Sequence, residues 1–306
     1  MTKSRSKALQ ILIEGYNKSQ PKSDAIKEIG FGGLLHLKLT STPKALVLRL
    51  LKCFDPKTGT VTISEDKKFV LSKNDVADVF GLPSGPSPLP FLAMGSHVPK
   101  NDIKQKWRKD FQAGKGISLT ELHKRLKECK ESGDQFKRLF VLFTVSTFLA
   151  PTSNHSLDMK ILKAVDDVSE IKNFDWCGYV FSELLLAFTP PIPKYLRGCV
   201  IFLMVAYFHR FDNAANPLSN ELPLIKHWND DVLWKRVQEE TSMDNFGAAP
   251  LRKICSPNLQ QAAQSMSVKR VMHIELPDNI LTDEEIQSQA TDVSTHKYPS
   301  SLWSNT

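Results

Sequence analysis

Two stretches constrain this chain most: Phe136–Leu149 and Cys199–Phe208 are apolar on every side of a helix. A helix without a polar face has to be enclosed by others. The most apolar windows there, Leu139–Ala150 and Gly198–Phe208, hold 12 and 11 residues, whereas a membrane-spanning helix needs about 20. They read as core helices. A chain of 306 residues is long enough for a domain that buries about three quarters of its unfolded surface. The expected fold is mainly α, an irregular multi-helix bundle around these two segments, with one small β-hairpin at about residues 60–71.

The hairpin follows from punctuation and period. Thr42 and Pro43 open a helix in which Leu46, Leu50 and Cys53 recur at helical spacing, and Asp55-Pro56-Lys57-Thr58-Gly59 ends it in a turn. Val61 and Ile63 then alternate with threonine and serine, and Phe69 and Leu71 supply the returning strand. Ser72 and Asp75 form a capping-box pattern, Val76, Val79 and Phe80 give an apolar face, and Gly81 stops the helix. Five prolines between Pro83 and Pro99 predict a long loop. Beyond it, Ile103, Trp107 and Phe111 mark one amphipathic helix, and Leu119, Leu122, Leu126 and Cys129 mark a second. Further helices are expected over Ile161–Val168, Trp176–Phe188 and Val232–Glu240. The domain reading is a flexible basic N-terminal arm or short helix at 1–24, a helical body at 25–250, and a polar, largely disordered tail at 251–306.

Cys53, Cys129, Cys177, Cys199 and Cys255 are odd in number and unpaired in spacing, as free thiols of a reducing compartment would be. The basic start lacks a small-residue cleavage site, so the chain is expected to be soluble and intracellular, with no membrane partner. The net charge is +7. Ten Lys or Arg against five Asp or Glu fall between Lys100 and Glu131, so an anionic partner is to be sought there.

No catalytic signature survives inspection. Gly114-Lys115 lacks the leading glycine of a phosphate loop. Gly30-Phe31-Gly32-Gly33 lacks the third glycine of a dinucleotide fingerprint and reads as a turn that lets Phe31 pack. Ser84 is out of register with a nucleophile elbow. No histidine pair or C-x-x-C offers metal-ligand spacing, and His209 reads as a helix-terminal capping charge. The expectation is a non-enzyme with no catalytic residue, metal, cofactor or small-molecule substrate. An enzyme using the 83–99 loop as a lid is the contrary reading, and it needs polar groups converging beneath that loop. The feature with a binding character is a cluster of cations around an aromatic: Lys104, Lys106, Arg108 and Lys109, continued by Lys124, Arg125 and Lys127. Such residues suit phosphates, although Trp107 shares the apolar face with Ile103 and Phe111 and should be buried, and a solvated helix face needs no partner at all.

Several stretches together resemble the plant mobile domain, also labelled aminotransferase-like: Ile29-Gly-Phe-Gly-Gly-Leu-Leu, Phe54-Asp-Pro-Lys-Thr, Leu71-Ser-Lys-Asn-Asp-Val through Gly81-Leu-Pro-Ser-Gly, Lys106-Trp-Arg, Arg138-Leu-Phe-Val-Leu-Phe through Phe148-Leu-Ala-Pro-Thr, Asp175-Trp-Cys and Gly198-Cys-Val-Ile-Phe-Leu. The resemblance covers about residues 26–240. It implies a transposon-derived plant protein, nuclear, acting as an interaction module for nuclear protein or nucleic acid. In that family the region often precedes a ubiquitin-like-protein-specific cysteine protease, so the alternative is an inactive remnant of a mobile-element protein that has lost such a domain. The resemblance supplies no catalytic residue.

Overall fold

The computed structural model describes residues 3–92, 102–111, 114, 116–151, 155–189, 198–212, 217–241 and 246–252. The chain divides into two units, Met1–Ile254 and Cys255–Thr306, and every described residue belongs to the first. The expected disordered tail, beyond Arg252, lies outside the described residues.

The two apolar segments are enclosed as their composition requires. Helix α7 (Asp134–Thr144) continues into a π-helical turn, Val145–Leu149, and Phe140, Val141, Phe148 and Leu149 have no exposed surface. The expected single helix is thus widened at its end, with Ala150 N–H donating to the Val145 carbonyl at 2.8 Å, just before Pro151 stops it. Helix α9 (Val200–His209) is buried along its whole length. Around them lie α8 (Trp176–Phe188), α3 (Lys44–Cys53) and α4 (Lys73–Phe80). Edge-to-face aromatic pairs join these layers: Phe31 meets Phe140 and Trp176, and Phe80 meets Phe148. Each such pair contributes about 0.5–1.5 kcal/mol beyond its buried area.

The predicted hairpin is present as β2 (Thr60–Ser64) and β3 (Lys67–Val70), paired antiparallel, and the two-residue strand β1 (Phe54–Asp55) adds a third member. The capping box at Ser72 and Asp75 forms as expected, and α4 ends on left-handed Gly81. The segment expected to be helical at 161–168 forms a 3₁₀ turn at Ile161–Ala164 instead, and a second 3₁₀ stretch, Val168–Asn173, starts at its last residue.

Of the two alternatives at 1–24, helix forms and a loose arm does not. Residues Lys3–Tyr16 form α1 and Gln20–Glu28 form α2. Leu9, Leu12, Ile13 and Tyr16 recur at i, i+3, i+4 and i+7 and are all buried, and Tyr16 stands edge-on to Phe136 at 5.1 Å. The basic residues Lys3, Arg5 and Lys7 that precede the stripe dominate a reading of the segment by composition. At the other end the body reaches Arg252: Leu251 bridges Phe211, and the Arg252 N–H donates to the Arg210 carbonyl at 2.8 Å.

The glycine-rich motif is a helix terminator, as expected. Gly30 has φ of 82°, its N–H reaches the Lys27 carbonyl at 2.9 Å, and the Phe31 N–H reaches that of Ile26 at 3.0 Å. This is a Schellman arrangement, and it turns Phe31 into the core, where it has no exposed surface. Gly33 serves a different need, because a Cβ there would overlap the Phe80 carbonyl. Gly33→Ala is therefore expected to destabilise the protein by about 1–3 kcal/mol, the usual range for an overpacked core, read as a lower midpoint in urea with an unchanged slope.

Candidate functional site

The predicted cations fall on α5 (Asp102–Asp110) and α6 (Leu119–Glu128). Ser118 caps α6 by accepting the Thr120 N–H at 3.1 Å. Two backbone bonds fix where the helix starts, the Leu157 N–H donating to the Ile117 carbonyl at 2.8 Å and the Leu119 N–H to the His155 carbonyl at 2.9 Å. Leu119, Leu122 and Leu126 bury one face of α6. On α5, Trp107 and Phe111 are buried and stacked on each other at 5.7 Å, so the indole is withdrawn from solvent as its periodicity predicts.

One cation sets the arrangement of the two helices. The Arg125 guanidinium lies 3.9 Å from the Phe111 ring centroid. Its Nη2 donates to the Asp110 carbonyl at 2.6 Å and its Nε to Glu121 Oε1 at 3.1 Å. Arg125 is thus a clamp between α5 and α6 and not a ligand group. The only forward signal for it in the sequence is the i, i+4 pair with Glu121. Arg108 is half-buried with its Nε enclosed, and Lys104 is half-buried as well. Lys106, Lys109, Lys124 and Lys127 are exposed, and none of these four enters an ion pair among the described residues. Lys127 follows Lys124 by three residues and shares its flank of α6. The structure therefore keeps Lys106, Lys109, Lys124 and Lys127 as the outer charges of a clamped helix pair.

Several other polar groups have architectural partners. An open depression of about 400 Å³ is lined by Glu28, Asp134, Lys137, Arg138, Asp167 and Ser169 among others. Its cations are engaged: Lys137 Nζ pairs with Glu28 at 2.7 Å, and Arg138 donates to the Val165 and Asp166 carbonyls at 3.1 and 3.0 Å. Beneath the described part of the proline-rich loop, Leu89 is fully buried and Phe91 stands against Tyr179 at 5.5 Å. Asp175 accepts from Ser84 Oγ at 3.2 Å, Lys73 Nζ at 2.8 Å and the Gly178 N–H at 2.8 Å. One carboxylate thereby ties that loop to the starts of α4 and α8, and Ser84 is turn chemistry as expected. Cys53, Cys129, Cys177 and Cys199 are unbridged. Burial pushes the thiols of Cys177 and Cys199 up to about 12, which keeps them protonated and poor nucleophiles. Among the described residues no three His, Cys, Asp or Glu side chains converge as metal ligands, and no helix is long and apolar enough to cross a membrane.

His209 departs from its expected role as a terminal charge. It is 5% exposed, and its Nε2 accepts the Trp228 indole N–H at 2.9 Å, which requires the neutral ring. Burial, reinforced by Arg252, His227, Arg236 and Arg210, brings its pKa down to about 3.

Residues 2–204 match a family described as a domain of unknown function (DUF8566). The chain belongs to this family. Its matched span includes α5, α6 and the clamp between them, and it ends inside α9. No curated protein and no solved structure matches the chain.

Proposed function

We propose that the protein is a non-catalytic interaction module that engages a polyanionic partner through the outer face of α5 and α6. The observation that carries this reading is the division of labour among the cations. Arg125 fixes the helix pair, while Lys106, Lys109, Lys124 and Lys127 stand in solvent with no carboxylate partner among the described residues. A clamped scaffold holds these charges at fixed separations, and fixed separations lower the ordering entropy lost on binding. The architectural engagement of Asp175, Ser84, Lys137 and Arg138 supports the absence of chemistry elsewhere. The resemblance to the plant mobile domain supports a nuclear setting and a transposon-derived origin for this module.

The test is fluorescence anisotropy with labelled heparin at low salt, comparing the full chain with Lys106→Glu/Lys109→Glu/Lys124→Glu. The triple variant is expected to bind at least about tenfold more weakly, a loss of about 1.4 kcal/mol or more. Its melting temperature should be unchanged, because surface substitutions of this kind alter stability by about 0.5 kcal/mol or less. Equal affinity of the two proteins would remove the reading.

A further inference from the structure

Building on the polyanion reading, we infer that the partner is duplex nucleic acid, gripped through its phosphates without reading of base sequence. Three observations about the α5–α6 face point there.

The first is the absence of a stacking surface. Proteins that hold single strands stack successive bases on exposed aromatic rings. Here Trp107 and Phe111 are buried against each other, and the His123 imidazole is stacked on Phe143 at 5.1 Å. The flanking segments 93–101 and 112–116 contain no Phe, Tyr or Trp in their sequence. Among the described residues this face has no exposed Phe, Tyr or Trp to offer a base.

The second is the kind of cation that remains. Base edges are read bidentately by Arg, Lys, Asn or Gln, and of these only the planar groups of Arg, Asn and Gln present a fixed two-point geometry. Arg125 has its donors on Glu121 and the Asp110 carbonyl and its plane on Phe111, and Arg108 has its Nε enclosed. The exposed charges are lysines, compact point charges that suit phosphate oxygens without selecting a base. Gln105, exposed between Lys104 and Lys106, is the side chain on α5 whose amide has base-reading geometry.

The third is charge density. Duplex DNA presents one phosphate per about 1.7 Å of axis over its two strands, so exposed lysines on two clamped helices meet a denser target than one strand provides.

The experiment titrates the full chain against two 20-base-pair duplexes of unrelated sequence, one of their single strands, and polyglutamate, between about 50 and 200 mM salt. Both duplexes are expected to bind with affinities within about twofold of each other, and the single strand at least about fivefold more weakly. With log K falling by about 0.9 per phosphate neutralised, the slope against log salt should lie between about −2.7 and −3.6 for three or four lysines. Lys124→Gln should make it shallower by about one, and Gln105→Ala should leave the two duplexes equal. Single-strand binding as tight as duplex binding, a preference of tenfold or more between the duplexes, or tighter binding of polyglutamate would each overturn the inference. Heparin binding without duplex binding would defeat the inference while leaving the polyanion reading intact. Failure of both ligands would defeat both.

Discussion

Replacing Asp230 by alanine is expected to lower the stability of this protein by about 3–5 kcal/mol, although the residue lies on the partly exposed first turn of α10 (Asp230–Thr241). Its Oδ1 accepts the backbone N–H groups of Thr40 and Ser41, each at 2.8 Å, and its Oδ2 accepts the Thr40 hydroxyl at 2.7 Å. Thr40 and Ser41 are buried. Truncation strands two amide donors in the interior, at about 1–3 kcal/mol each, and removes bonds to a charged acceptor. Burial alone raises the carboxyl pKa, but the hydrogen bonds from Thr40 and Ser41 outweigh it, and the net position is below the usual carboxylate range. The stabilisation is therefore complete above the unfolded carboxylate pKa and is lost as pH falls through the lowered folded value. Asp230→Asn keeps one acceptor for the two amides and should recover part of the loss. Urea unfolding of the three proteins at neutral pH measures the series, and equal midpoints would show that the 40–41 segment holds without this carboxylate.

Acidification should destabilise the protein well before carboxylates titrate, because of His209. The imidazole is neutral in the fold, with a pKa of about 3, against about 6.5 in an unfolded chain. Between these values the unfolded state binds the extra proton, so stability falls as pH falls, beginning near pH 6.5. By pH 4.5 the penalty is about 3 kcal/mol, from two pH units at about 1.4 kcal/mol each. His36 and His123, both lowered first by burial, act in the same sense. The carboxyls of Glu240 and Asp78 are raised by burial and act in the opposite sense. His209→Gln isolates the contribution, since an amide oxygen can still accept the Trp228 N–H but takes up no proton. The variant should lose clearly less stability than the parent between pH 7 and 4.5. Parallel pH profiles would mean that His209 is charged in the fold.

Local features were legible in the sequence wherever a few adjacent residues decide them. The capping box at Ser72, the terminator at Gly30 and the burial of Trp107 follow from near-neighbour chemistry, and so does the enclosure of α9. The stripe of α1 was hidden because Lys3, Arg5 and Lys7 at its start give the segment the composition of a basic arm. Partners far apart in the chain gave no signal at all. Nothing near Asp230 announces Thr40, 190 residues away, and the i, i+4 pairing of Glu121 with Arg125 does not reveal the ring of Phe111 or the Asp110 carbonyl. The cation cluster was therefore read as seven equivalent charges, whereas the fold assigns one of them to holding the helices and encloses part of another.

The family boundary at residue 204 falls midway along α9, whose ten residues are all buried. Segments past that boundary close the same interior: Trp228 stacks on Phe208, the Tyr207 hydroxyl donates to Glu240 at 2.9 Å, and Lys67 reaches back to the Gly247 carbonyl at 2.7 Å. During synthesis the earlier helices consequently emerge from the ribosome with their greasiest surface uncapped. They wait for some fifty further residues, through about Arg252, before the centre can seal, and contacts of such long sequence separation form late. That interval is when a nascent chain of this kind has most need of a chaperone.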